Sequence, residues 1–155
     1  MKPLKHTLFF LLTLAIALTM TGCGPSAEEV YLTNVNEYFT EYSVAMEQAA
    51  AQFKGTDPLI LEDQAWIDAT IATLDNLDAA GQTLASTPVE DIPEIFAALD
   101  QILVDISDQT TVFTTSMKDS LVSGDKDAML AALDELEVIL GLVQQAQVEL
   151  EAANP

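Results

Sequence analysis

The chain has 155 residues, half of them apolar, and a formal net charge of −20 from 25 Asp and Glu against five Lys and no Arg. Every acidic residue lies beyond residue 22, opposed there only by Lys54, Lys118 and Lys126. Nucleic-acid binding, which depends on neutralising phosphates with Lys and Arg, is thereby excluded.

The N-terminus reads as a targeting segment. Met1 to His6 is a short basic opening, and the apolar run Thr7 to Met20 follows it. At about 14 residues that run is shorter than the roughly 20 a membrane-spanning helix needs. A basic region, a short apolar region and small residues at the exit are the parts of a secretory signal peptide, here residues 1–22, rather than of a permanent anchor. Two lysines in place of a twin arginine favour the general secretory route.

Met20-Thr21-Gly22-Cys23 resembles the lipobox of bacterial lipoproteins, with Met20 standing where leucine is usual. The resemblance covers residues 1–23 only. It implies cleavage between Gly22 and Cys23, a diacylglyceride on the Cys23 sulfur with palmitate-type acyl chains, and Cys23 as the first residue of the mature protein. It further implies an exported protein on the outer face of the cytoplasmic membrane. Where the host has an outer membrane, that membrane is favoured, because Gly24 is not the aspartate that retains such proteins on the inner one. Independently, a lone cysteine in an exported chain has no intrachain disulfide partner, and two or three acyl chains hold a protein stably on a bilayer.

His6, the only histidine, leaves with residues 1–22, and acylation would consume the only thiol. No Ser–His or Cys–His nucleophile, His-ligated haem or typical zinc ligand set then remains. The Glu-x-x-His pairs of carboxylate di-iron bundles are also absent. No cofactor and no enzymatic role is expected.

Residues 23–26 are a short tether, and residues 27–155 carry four amphipathic stripes with apolar residues alternating three and four apart. The first comprises Tyr31, Val35, Tyr38, Tyr42, Ala45, Ala49 and Gln52; the second Ile67, Ile71, Leu74, Leu77, Gly81 and Leu84. The third comprises Ile95, Leu99, Ile102, Ile106, Gln109 and Phe113; the fourth Met129, Leu133, Leu136, Leu140, Val143, Gln147 and Leu150. Turn residues divide them. Gly55 stops the first helix, and Asp57 with Pro58 opens the second. A turn at Pro88 to Asp91 precedes the third, and Gly124 with Asp125 separates the third from the fourth. The expected helices span residues 27–54, 58–86, 91–122 and 125–153. Short connections make sequential helices antiparallel neighbours, so the expected fold is all-α, an up-down-up-down antiparallel four-helix bundle.

Carboxylate pairs one turn apart, Asp75/Asp78, Asp105/Asp108 and Glu37/Glu41, have the oxygen ligands that hard cations take, but are expected to be solvated helix faces. No metal site is assigned. Thr110, Thr111, Thr114 and Thr115 form the least helix-like stretch. They read either as a polar groove for a small ligand or partner helix, or as a polar outer face with Phe113 and Met117 turned inward. The tyrosine stripe is expected in the core, and Trp66 at its edge.

These observations lead to a membrane-anchored, non-enzymatic binding or interaction module. The alternative is a structural, cation-holding acidic envelope protein. Only Gly24, Pro25 and Ser26 lie between Cys23 and the first helix, a reach of about 10 Å. The start of the first helix is then membrane-proximal, among acidic residues. The lysines mark the distal loops, where a protein partner or small ligand would bind. On charge alone, the bundle is expected to stand off anionic headgroups.

Overall fold

The computed structural model describes residues 25–54, 63–86 and 92–153. Four α-helices account for nearly all of these: α1 (Ala27–Gln52), α2 (Gln64–Ala85), α3 (Ala97–Ser123) and α4 (Lys126–Ala153). A short 3-10 turn, Glu94–Phe96, leads into α3. No strand occurs among the described residues. The helices pack against one another on a shared core, consistent with a four-helix bundle.

Side chains capture the N–H groups that a first helical turn leaves open. At α1, Ser26 and Glu29 form a reciprocal capping box: the Glu29 N–H donates to Ser26 Oγ (3.2 Å) and the Ser26 N–H to Glu29 Oε2 (2.8 Å). At α2 the cap is Asp63, whose carboxylate accepts from the N–H groups of Ala65 (3.0 Å) and Trp66 (3.2 Å). The described helix α2 begins at Gln64; Gly55, Asp57 and Pro58, the expected stop and start, lie outside the described residues. Before α3, Pro93 is extended (φ −55°, ψ 135°), and the chain makes its 3-10 turn only after it. The α-helix consequently starts at Ala97, six residues later than Asp91. The turn expected at Pro88 to Asp91 lies outside the described residues.

Between α3 and α4 the punctuation is as the sequence indicates. Gly124 takes the left-handed conformation (φ 68°) that residues with a Cβ avoid, and its N–H donates to the Ser120 carbonyl. Asp125 Oδ1 then accepts from the N–H groups of Asp127 and Ala128, both at 3.0 Å.

The α1 and α2 stripes form the core much as their spacing predicts. Tyr31, Val35, Tyr42, Ala45 and Ala49 are buried from α1, and Ile67, Leu74, Leu77, Gly81 and Leu84 from α2. Tyr38 and Ile71 lie half-buried at the margins. Two other stripes are shifted. At the start of α3, Phe96 is buried and Ile95 is 56% exposed. A 3-10 turn advances 3.0 residues per turn rather than 3.6, which changes the phase at which the helix enters the core. On α4 the buried line is Ala132, Ile139, Val143 and Ala146, while Leu133, Leu140 and Gln147 flank it. Leu133 and Leu136 are partly buried against this core.

Candidate functional site

The four threonines singled out by sequence do not share one environment. Thr110 and Thr114 are buried, whereas Thr111 and Thr115 are exposed. Thr110 belongs to the core. Its Oγ1 lies 2.7 Å from the Tyr42 hydroxyl and also donates to the Ile106 carbonyl at 2.7 Å. Gly81 makes room for it: a Cβ there would lie 3.3 Å from Thr110 Cβ and Cγ2, so the glycine allows α2 to close on α3.

Thr111 Oγ1 donates to Asp78 Oδ1 at 2.7 Å, and Thr114 Oγ1 donates to the Thr111 carbonyl at 3.2 Å. One helical turn further along, Lys118 Nζ meets Asp75 Oδ1 at 2.9 Å. The carboxylates Asp75 and Asp78 thus tie α2 to α3, and Asp105 accepts from Gln101 Nε2 at 2.9 Å. Among the described residues, no group of three or more His, Cys, Asp or Glu is placed to hold a metal ion.

The two buried tyrosines respond differently to their surroundings. Burial raises the Tyr42 pKa above its ordinary value, and the hydrogen bond with Thr110 partly offsets the rise. Burial also raises that of Tyr31, and the negative charge of nearby Asp100 raises it further. No hydrogen bond of regular geometry satisfies the Tyr31 hydroxyl. Its ring stacks on Phe96, with centroids 4.8 Å apart and planes 14° from parallel, and this joins the start of α1 to the 3-10 turn.

An open groove of about 460 Å³ lies between the end of α3 and the start of α4. Ser116, Asp119, Ser120 and Ser123 line one side, and Ala131 and Glu135 the other. Ser120 is buried and Ser123 exposed, and the serine hydrogens are already committed: Ser120 Oγ donates to the Met117 carbonyl (2.7 Å), Ser123 Oγ to the Asp119 carbonyl (2.8 Å), and Ser116 Oγ to Glu135 Oε1 (3.4 Å). Glu135 Oε2 is buried without a hydrogen-bond partner. The exposed lining is mostly apolar, with Asp119 as its exposed charge and no basic group.

Sequence reasoning did not single out this groove. It arises from small side chains on facing helices, and only the run of Ser and Ala at three- and four-residue spacing signals it. The Ser26/Glu29 capping box was readable as Ser-x-x-Glu.

Gly22 and Cys23, the expected cleavage and lipid-attachment residues, lie outside the described residues. Among those described, no helix is long and apolar enough to cross a membrane. No protein-family model matches the chain, and neither a curated protein nor a solved structure is significantly similar to it.

Proposed function

We propose that the protein is a non-enzymatic binding module, exported and held on the outer face of a bacterial membrane by a lipid on Cys23. Residues 1–22 are its cleaved signal peptide. The observation that carries the reading is positional: Cys23 closes a lipobox-like tetrapeptide and lies three residues from Ser26, the cap of α1. The anchor is thus within about 10 Å of the start of the helical domain.

The helices are arranged up-down-up-down. Contacts between α2 and α3 run in opposite chain order, pairing Asp75 with Lys118, Asp78 with Thr111 and Gly81 with Thr110. Those between α1 and the α3 region run in the same order, Tyr31 with Phe96 and Tyr42 with Thr110. Both patterns support antiparallel neighbours with α1 and α3 parallel. The tether then lies at one end and the α3–α4 groove at the other, facing away from the membrane. A basic side chain of a partner protein suits that groove.

The test compares the native chain with Cys23→Ser in fractionated cells. The native chain is expected in the membrane fraction, shortened by residues 1–22 and carrying acyl chains on Cys23, and the variant is expected to carry no acyl chain. Identical processing and acyl content of the two would refute the anchor.

The acidic surface supports a second reading, a structural and cation-holding coat. A single ion pair, Lys118–Asp75, offsets the carboxylates of the described residues. Calcium titration followed by melting separates the two. A saturable rise in stability at low calcium would indicate a specific site, whereas a gradual rise reproduced by monovalent salt would indicate screening.

A further inference from the structure

Of the large apolar side chains exposed among the described residues, Ile92 (36% exposed) and Ile95 (56%) are the only two that fall within one turn of chain. The others, such as Val112, Val122, Leu130 and Val138, are separated along the chain by eight residues or more. The pair also has a particular position. Ile95 adjoins Phe96, whose ring is stacked on Tyr31. Tyr31 is five residues into the chain from Ser26, about 7.5 Å along the helix axis. The three residues before α1 add about 10 Å to Cys23. Two exposed isoleucines thus lie within reach of the level at which a lipid on Cys23 would enter a bilayer.

The position of Ile95 is a consequence of the local backbone. Pro93 delays the helix, the 3-10 turn gives the core position to Phe96, and Ile95 is left outside. The surrounding charge limits the surfaces it can meet. Glu28 and Glu94 are exposed at this end, and Lys54 and Lys126 lie beyond the far ends of α1 and α3. An anionic headgroup layer would be repelled here, whereas a zwitterionic one would not.

We propose that Ile92 and Ile95 rest in the interface of a zwitterionic lipid leaflet, so that the bundle is seated on the membrane rather than swinging on its tether. This rests on the lipid-anchor reading above. Charge alone leads to a bundle that stands off an anionic surface; where headgroups are neutral that repulsion is absent, and the exposed pair supplies a short-range apolar contact. Seating fixes the orientation of the helices and turns the α3–α4 groove outward.

The experiment uses the full chain, expressed in a lipoprotein-processing host and purified from its membranes. It is reconstituted into phosphatidylcholine vesicles carrying a lipid with a photoactivatable diazirine near the headgroup. Digestion and mass spectrometry then read two things, acylation of the Cys23 peptide and the residues labelled by lipid. The expected result is an acylated Cys23 with labelling at residues 92–95 about tenfold above that at Val122. In Ile92→Ser/Ile95→Ser, two surface changes that leave the core intact, labelling at these positions should fall to the Val122 level while the chain stays on the vesicles. Acylated protein with no excess labelling at 92–95 would overturn the seating and leave the anchor standing. An unmodified Cys23 on a chain that does not float with vesicles would overturn the anchor, and the seating with it.

Discussion

The two ends of the helical domain are built differently. Where α1 begins, large buried rings close the structure: Tyr31 stacks on Phe96, and both are essentially inaccessible to solvent. Where α3 turns into α4, the facing residues are serines and alanines, and a groove stays open between the helices. Both ends are well capped, one by the Ser26/Glu29 box and the other by Gly124 and Asp125. The difference therefore lies in side-chain volume rather than in how the backbone is terminated. Under the proposed anchoring, the filled end would bear against the membrane and the open end would face a partner.

Substitutions can break that comparison. The largest effect is expected from Phe96→Ala, which removes a buried ring and its stacking partner's support. It should cost about 3–5 kcal/mol in denaturant unfolding. At the open end Ala131→Ser, on the exposed lip of the groove, should stay within about 0.5 kcal/mol. Comparable losses at the two positions would mean that the ends do not differ in packing.

Cap substitutions sharpen the same point, because they should affect both ends alike. Gly124→Ala forces a Cβ into the left-handed region, at about 1–2 kcal/mol. Ser26→Ala removes an acceptor from the first turn of α1, at about 1 kcal/mol. Thermal melts of the two variants should shift by similar amounts.

Alkaline pH probes the filled end. The pKa of Tyr31 is raised on folding, so the native state holds the phenolic proton more tightly than the unfolded chain does. The resulting stability is fully present below the ordinary tyrosine value of 10.0 and is lost as pH rises beyond it toward the folded value. Tyr42 contributes with the same sign. The melting temperature should decline above about pH 10, and Tyr31→Phe should flatten that decline. An unchanged slope in the variant would remove Tyr31 from the account. The smallest effect is expected from Lys118→Ala. Its partner Asp75 is 59% exposed in its side chain, and such pairs contribute less than about 1 kcal/mol.

Much of the helical architecture was readable in the sequence, and the departures have specific physical causes. The α1 and α2 stripes are carried by large residues such as Tyr31, Tyr42, Leu74 and Leu77, so their periodicity locates the core directly. On α4 two of the buried positions are Ala132 and Ala146, which contribute little to any hydropathy pattern, and flanking leucines draw the reading aside. The start of α3 was displaced because a 3-10 turn has a different period from the helix that follows. The site was less legible than the fold. Thr110 stood out only as part of a β-branched, hydroxyl-rich run that read as a groove or as an outer face, yet its hydroxyl is matched to Tyr42 inside the core. The groove beside Ser120 is defined by missing side-chain volume, which no chemistry-bearing residue announces.

The central claim is that the α1-start end meets the membrane and the α3–α4 end faces away. Limited proteolysis of the native chain, free in detergent and bound to phosphatidylcholine vesicles, tests it most directly. Trypsin should cut after Lys126 at the same rate in both states, while a glutamate-specific protease should cut after Glu28 and Glu94 much more slowly on vesicles. Protection of Lys126 together with undiminished cutting at Glu94 would contradict the orientation.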